Sequence, residues 1–126
     1  MNQFCCTVAL VTLAYATAAQ AEGDPAQGQM LFESRCIACH SVDSHRVGPA
    51  LGGAFGRQAG SAPGYQYSTA VTGSGVVWTT QTLNRWLENP GALIPGQKMG
   101  YSVADPQVRA DLIAYLRAIA KAGQRP

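Results

Sequence analysis

The chain carries one Cys-x-x-Cys-His motif, formed by Cys36, Ile37, Ala38, Cys39 and His40. Two thiols at this spacing can both form thioether bonds to the vinyl groups of one porphyrin. The histidine that follows is then held against one face of the iron as a ligand. The motif therefore predicts a covalently attached haem, and the chain has to fold around it. A second iron ligand, if present, comes from elsewhere in the chain, and its identity separates an electron carrier from a haem enzyme or a gas-binding protein.

The same residues allow two other interpretations. Cys36, Cys39, His40 and His45 nominally form a four-ligand zinc set, and a bare Cys-x-x-Cys pair can also be a redox-active dithiol. Adjacent Cys39 and His40 suit zinc poorly, because tetrahedral sites usually draw their ligands from spaced pairs. We therefore favour haem attachment over both alternatives.

Residues 1–21 are predicted to form a secretory signal peptide that is cleaved. They contain no charged residue, they are largely apolar from residue 4 to residue 19, and Ala19-Gln20-Ala21 forms a small-x-small cleavage pattern. The segment also lacks the usual Lys or Arg at its start, which leaves an uncleaved membrane anchor as the alternative, although the run is short for a full span. After cleavage Cys36 and Cys39 are the only thiols, which fits an exported haem protein better than a cytosolic zinc module.

Three helices are predicted, and no stretch alternates like a β-strand. Each helix has a suitable capping residue at its start, and the last has an apolar stripe at helical spacing. Glycine and proline cluster between residues 48 and 100, which indicates loops, so the predicted fold class is all-α. The helices are predicted from Asp24-Pro25 to about Cys36, from Thr79 or Thr80 to Asn89, where Pro90 helps to end the helix, and from Asp105-Pro106 to Gly123.

Met99 is the candidate for the second iron ligand. It lies in a segment rich in glycine and proline rather than on the apolar face of a helix, which disfavours a role as core filler. A thioether is a soft ligand, and its pairing with histidine raises the reduction potential of the iron. Met30 lies only six residues before Cys36, which places it badly for the opposite face of the haem. His45 follows His40 closely and is expected to hydrogen-bond a neighbouring loop instead.

From Gly23 to about Ala120 the chain resembles the class I cytochromes c, close to the mitochondrial type and the soluble bacterial cytochromes c2. The resemblance implies that residues 22–126 form a class I cytochrome c fold, with three main helices and glycine- and proline-rich loops wrapped around one covalent haem c. The matching stretches are collinear and cover nearly all of this domain. They are Gly28 and Phe32, the haem motif, Gly48-Pro49-Ala50-Leu51, Phe55-Gly56-Arg57, Ala62-Pro63-Gly64-Tyr65, Val76-Val77-Trp78, Leu87-Glu88-Asn89-Pro90, Ile94-Pro95-Gly96-Gln97-Lys98-Met99 and Asp111-Leu112-Ile113-Ala114-Tyr115-Leu116.

The resemblance also implies a role for each residue that would hold the iron. Cys36 and Cys39 would be the thioether anchors, and His40 and Met99 the axial ligands. Pro49 resembles the residue whose backbone carbonyl orients the axial histidine, which tunes the basicity of that ligand.

Three further residues resemble the donors around the haem propionates, namely Arg57, Tyr67 and Trp78. A carboxylate removed from water needs charge or hydrogen-bond partners, which gives these side chains a physical reason to be there. Without the resemblance, Arg57 reads as a solvated surface charge and Trp78 as a core aromatic. Gln97 stands where the family often has Thr, so the resemblance does not predict the hydrogen bonding around Met99.

The resemblance implies a one-electron carrier of the periplasm, not an enzyme. The expected donor is a quinol-oxidising cytochrome complex, and the expected acceptor is an oxidase, a reductase or a photosynthetic reaction centre. A haem enzyme or gas-binding protein with an open iron position is the alternative, and a dedicated acceptor for one dehydrogenase has the same sequence pattern. Nine Lys and Arg against seven Asp and Glu give a net charge of +2, so electrostatic steering towards partners is expected to be weak. We expect a monomer and no nucleic-acid partner.

Overall fold

A computed structural model describes residues 22–124 of the chain. The segment interpreted as a signal peptide, residues 1–21, lies outside the described residues. Within residues 22–124 no helix is both long enough and apolar enough to cross a membrane. The helices in chain order are α1 (Pro25–Arg35), α2 (Thr69–Thr72), α3 (Thr80–Glu88), α4 (Pro90–Leu93) and α5 (Pro106–Ala122).

The all-α prediction is confirmed, and the three main helices begin at the predicted caps. Asp24 accepts a hydrogen bond from the backbone N–H of Ala26 at 2.8 Å, and Asp105 caps α5 in the same way. Thr79 and Thr82 form a reciprocal capping box at the start of α3. Each cap satisfies backbone N–H groups that the first turn of a helix leaves without a partner.

Two short helices were not predicted. Ser68 caps α2, and Asn89 caps α4. Pro90 was expected only to end α3, but it also occupies the first position of α4, where its missing N–H costs nothing. Each of these helices has four residues, which is too short for apolar periodicity to develop.

Helices α1 and α5 cross in direct backbone contact. A Cβ atom on Gly28 would lie 2.0 Å from the carbonyl oxygen of Asp111, so only glycine fits at this point of the crossing. Beside it, the rings of Phe32 and Tyr115 pack with their centroids 5.4 Å apart. The backbone N–H of Asp24 also donates to the Asp111 carboxylate at 2.8 Å. The terminal helices are therefore joined by a backbone contact, a ring contact and a hydrogen bond.

Helix α5 contributes to both apolar clusters of the described core. One cluster joins α1 to α5, and the other joins α3 to α5. The half-buried side chain of Leu51 packs against both clusters. The core residues are Phe32, Val103 and Leu112 in the first cluster and Leu83, Ile113 and Leu116 in the second.

Arg109 is buried within this framework although it is charged. Its Nη1 donates to the carbonyl oxygens of Val103 and Ala104, each at 2.8 Å, and its Nε donates to Asn84 Oδ1 at 2.8 Å. Its Nη2 lies 3.6 Å from the exposed carboxylate of Glu88. The guanidinium therefore fastens the segment before α5 to helix α3.

Candidate haem site

The haem motif continues the last turn of α1. The N–H of Cys36 donates to the Phe32 carbonyl at 2.9 Å, and the N–H groups of Cys39 and His40 then donate to the Cys36 carbonyl at 3.1 and 2.8 Å. This helical turn places the two thiols, three residues apart, on the same side. Cys36 is half-buried, Cys39 is exposed, and the two are not joined by a disulfide.

The environment of Cys36 argues against a redox-active dithiol. Burial raises the pKa of the Cys36 thiol above its usual range, while the neighbouring charge of Arg35 opposes this shift. Redox-active Cys-x-x-Cys pairs work the other way, because a lowered pKa supplies the nucleophilic thiolate.

His45 is engaged away from the motif, which removes the fourth ligand of the zinc alternative. Its Nε2 donates to the Pro63 carbonyl at 2.8 Å, and its Nδ1 accepts from the Ala50 N–H at 3.0 Å. The expected hydrogen bond from His45 to a neighbouring loop is thus confirmed. Across residues 22–124, no three His, Cys, Asp or Glu side chains are grouped closely enough to hold a metal ion.

His40 is fixed in one orientation and one tautomer. Its Nδ1 lies 2.8 Å from the carbonyl oxygen of Pro49, which can only accept, so Nδ1 carries the proton. The lone pair of Nε2 is therefore free to bind a metal. Gly48 lies against the ring and donates its N–H to the Cys39 carbonyl at 2.7 Å. A Cβ atom on Gly48 would lie 2.2 Å from His40 Cε1, so the close approach requires glycine.

Met99 lies in the segment between α4 and α5, which is anchored at both ends. Ile94 is buried at the start with 3% of its surface exposed, and Val103 is buried at the end with 2% exposed. The Val103 N–H donates to the Leu87 carbonyl at 2.7 Å, which ties this end to α3. Between the two anchors, the Met99 side chain is half-buried.

A tight turn leads from the first anchor towards Met99. The N–H of Gln97 donates to the Ile94 carbonyl at 3.2 Å, with Pro95 and Gly96 between them and a φ of +88° at Gly96. This is the pattern of a type II turn, which needs a positive φ at its third residue. The side chain of Gln97 then bonds both backbone polar groups of Met99, accepting from its N–H at 2.5 Å and donating to its carbonyl at 3.0 Å.

Arg57 and Trp78 lie next to each other on paired segments. The Trp78 N–H donates to the Arg57 carbonyl at 2.9 Å, and the Gly56 N–H donates to the Trp78 carbonyl at 2.7 Å. Tyr67 lies in a separate loop, where its hydroxyl oxygen accepts from the Ala62 N–H at 3.3 Å. Within the described part of the chain, the guanidinium of Arg57, the indole N–H of Trp78 and the hydroxyl hydrogen of Tyr67 have no acceptor.

These residues fit a c-type haem. The motif offers two thiols on one side of a turn and an imidazole nitrogen free for iron, and a separate anchored loop offers a thioether. The three donors without a protein acceptor, Arg57, Tyr67 and Trp78, suit the carboxylates of a porphyrin, which need such partners when they leave water. Half-buried Leu51 and Phe55 pack against the core and present further apolar surface.

The sequence did not predict the contacts made by three side chains, Gln97, Arg46 and Arg109. Gln97 was noted only as a departure from the family, and no pattern announces its bonds to Met99. No sequence pattern indicates the bond from Arg46, whose Nη1 donates to the carbonyl of Ile37 within the haem motif at 2.7 Å. Buried Arg109 could have been found, because it lies on the apolar face of α5, three residues before Leu112.

The family model, the relatives and the solved structure named below are all cytochromes c. The sequence model of the family described as Cytochrome c matches residues 25–120. Cytochrome c2 of Rhodopila globiformis is 48% identical over 100 residues, which cover 77% of this chain and 94% of the relative. Cytochrome c type-1 of Ascaris suum is 49% identical over 100 residues, 75% of this chain and 88% of the relative. The solved structure of cytochrome cH from Methylobacterium extorquens superposes with a TM-score of 0.73 at 41% identity, over 76% of this chain and 99% of that one.

Proposed function

The chain belongs to the cytochrome c family and is a haem-based electron carrier, and from this premise we propose that it works in the periplasm with His40 and Met99 as axial iron ligands. Its cofactor is one covalently bound c-type haem with iron. We infer that the thioether bonds are made by Cys36 and Cys39 in a domain of residues 22–126. The free Nε2 of His40, fixed by the hydrogen bond from Nδ1 to the Pro49 carbonyl at 2.8 Å, is the observation that carries the proposal.

When bound, the haem supplies an iron that takes up and releases one electron by alternating between its ferric and ferrous states. His40 is held by Pro49 and by the close contact with Gly48, so its ring cannot turn freely. The Met99 segment is anchored at Ile94 and Val103. A histidine ring and a methionine segment that are held in this way should move little between oxidation states, which favours fast electron transfer.

We propose that Arg57, Tyr67 and Trp78 bind the haem propionates. Their donor groups lie on half-buried side chains and have no acceptor within residues 22–124. The guanidinium of Arg57 would supply positive charge to a carboxylate, while the hydroxyl of Tyr67 and the indole of Trp78 would supply neutral hydrogen bonds.

The setting of the carrier is also a proposal. The apolar segment at residues 1–21 supports export to the periplasm, and the similarity to a protein named cytochrome c2 is consistent with this. We propose a quinol-oxidising cytochrome complex as the electron donor and an oxidase, a reductase or a photosynthetic reaction centre as the acceptor. The chain has a net charge of only +2, so electron-transfer rates should fall gently with rising salt.

The visible spectrum of the purified holoprotein tests the ligand assignment. Ferric iron bound to methionine sulfur gives a weak far-red absorption band, so the wild-type protein is expected to show the band and Met99→Leu to lose it. Met30→Leu is the matched control, because the Met30 side chain is 55% exposed on α1, and it is expected to keep the band. A redox titration of the wild-type protein should give one reversible one-electron couple.

Carbon monoxide separates a carrier from the alternative. Reduced wild-type protein should bind it slowly and weakly, whereas Met99→Leu should bind it rapidly because its iron position is open. Rapid binding to the wild-type protein, together with a missing far-red band, would contradict Met99 ligation and favour a haem enzyme or gas-binding protein.

A further inference from the structure

The Met99 backbone has an unusual hydrogen-bond partner. Within residues 22–124, both its N–H and its carbonyl are bonded by the side chain of Gln97 and by no other group. Oε1 of Gln97 accepts from the Met99 N–H at 2.5 Å, and Nε2 donates to the Met99 carbonyl at 3.0 Å. The planar carboxamide of Gln97 therefore bonds the N–H and the carbonyl of Met99 in the same way as the backbone of a neighbouring strand would.

The rest of the loop gives Met99 no comparable support. Among the described residues, none of the backbone groups of residues 98–102 other than those of Met99 takes part in a hydrogen bond. The nearest fixed points are the turn closed by the Gln97 N–H onto Ile94 and the bond from the Val103 N–H to Leu87. Between these points, the Gln97 side chain is the one polar restraint on the residue that carries the thioether.

The two bonds of Gln97 act together because of the chemistry of the amide. A carboxamide offers an acceptor and a donor in one rigid plane, whereas a hydroxyl or a carboxylate does not present both in this geometry. Bonds on both sides of Met99 restrict its φ and ψ, and these angles set the direction in which its side chain leaves the backbone. A ligand that is already oriented loses less conformational entropy when it binds.

We propose that Gln97 is a positioning residue for the Met99 thioether and sets how strongly Met99 competes with external ligands for the iron. This inference rests on the proposed ligation by Met99. Gln97 itself acts only through the backbone of Met99.

Imidazole titration of the ferric holoprotein tests this inference, with loss of the far-red band as the readout. Gln97→Ala removes both bonds and is expected to bind imidazole about tenfold more tightly than the wild-type protein, the order of effect of one or two net hydrogen bonds. Gln97→Glu has nearly the same shape, but at neutral pH its carboxylate cannot donate and sets an oxygen against the Met99 carbonyl, so it too should bind imidazole more tightly than the wild type. Gln81→Ala is the matched control, because Gln81 is exposed on α3 without a side-chain hydrogen bond in the described residues, and it should match the wild type.

A denaturant titration of each variant separates positioning from general stability. The inference predicts that Gln97→Ala changes the free energy of imidazole binding more than the free energy of unfolding, and that Gln97→Glu also binds imidazole more tightly than the wild type. Should Gln97→Ala fail to fold, Gln97→Glu alone carries the test, because its side chain keeps the size and one of the two bonds.

The outcomes distinguish this inference from the proposed function. A wild-type protein with the far-red band, together with Gln97 variants that bind imidazole like the wild type, overturns the positioning role and leaves Met99 ligation standing. Tighter imidazole binding in Gln81→Ala as well would also overturn it, because the effect would then not be specific to Gln97. A wild-type protein without the band overturns both proposals.

Discussion

Replacement of Gly28 by alanine tests the backbone contact between α1 and α5. The added Cβ would lie 2.0 Å from the Asp111 carbonyl oxygen, 2.7 Å from its carbonyl carbon and 2.8 Å from Tyr115 Cβ. Two of these atoms belong to the backbone of α5, so they cannot turn away as the end of a flexible side chain would. Restoring an ordinary contact of 3.4 Å requires a shift of at least 1.4 Å, the difference between 3.4 and 2.0 Å.

This shift sets the expected loss of stability. Overpacking a tight contact typically costs about 1–3 kcal/mol, and the backbone clash at Gly28 places the cost at the upper end of that range. Alanine regains about 1 kcal/mol of intrinsic helix propensity over glycine. The free energy of unfolding should therefore fall by about 2 kcal/mol, which corresponds to a decrease in Tm of about 10 °C for a domain of this size.

Denaturant unfolding of the holoprotein, followed by far-UV circular dichroism, measures this loss. Gly91→Ala is the matched control, since it adds the same methyl group within α4, where the new Cβ would make only an ordinary contact, 3.7 Å from Asn89 Oδ1. Gly91→Ala should be as stable as the wild type or slightly more stable. Equal stability of the Gly28 and Gly91 variants would refute the argument that the two backbones touch.

Three further predictions follow from other contacts. In Gly48→Ala the new Cβ pushes against the His40 ring and weakens its bond to the Pro49 carbonyl, so a redox titration should find a potential raised by tens of millivolts, on the order of one lost hydrogen bond. Arg109→Met removes the hydrogen bonds of a buried guanidinium and should lower the free energy of unfolding by about 2–4 kcal/mol in a denaturant titration; a loss below 0.5 kcal/mol would contradict this role. Burial, and then the charges of nearby carboxylates, raise the pKa of Tyr115 in the folded state. The neutral phenol therefore stabilises the folded protein below the ordinary tyrosine pKa of about 10, and this stabilisation is lost as the pH rises through the folded pKa. Tyr115→Phe should therefore lose less stability than the wild type between pH 8 and pH 11.

The main helices could be predicted because their signals are local. An aspartate followed by proline marks the start of both α1 and α5, and these two boundaries agree with the structure. The predicted end of α1 at about Cys36 also agrees, since Cys36 is the residue that caps it. The short helices α2 and α4 escaped prediction because one turn of helix leaves no periodic pattern.

Some parts of the candidate site could be predicted from the sequence, and others could not. The haem motif shows its chemistry by residue type and spacing, and the bond expected between His40 and the Pro49 carbonyl is present. The roles of Arg57, Tyr67 and Trp78 rested on resemblance, because nothing in local sequence tells a propionate donor from a surface charge or a core aromatic. The bonds from Gln97 to Met99 depend on loop conformation, which residue spacing alone does not specify.

The crossing of α1 and α5 closes the chain into a ring. The hydrogen bond from the Asp24 N–H to the Asp111 carboxylate joins residues 87 positions apart, and bringing such distant points together costs about 4 kcal/mol of chain entropy. All the residues proposed to hold the haem, from Cys36 to Met99, lie inside this ring. Opening the crossing would therefore release the closure around both ligand-bearing segments at once, whereas displacement of Met99 alone, as in the imidazole titration, leaves the ring closed.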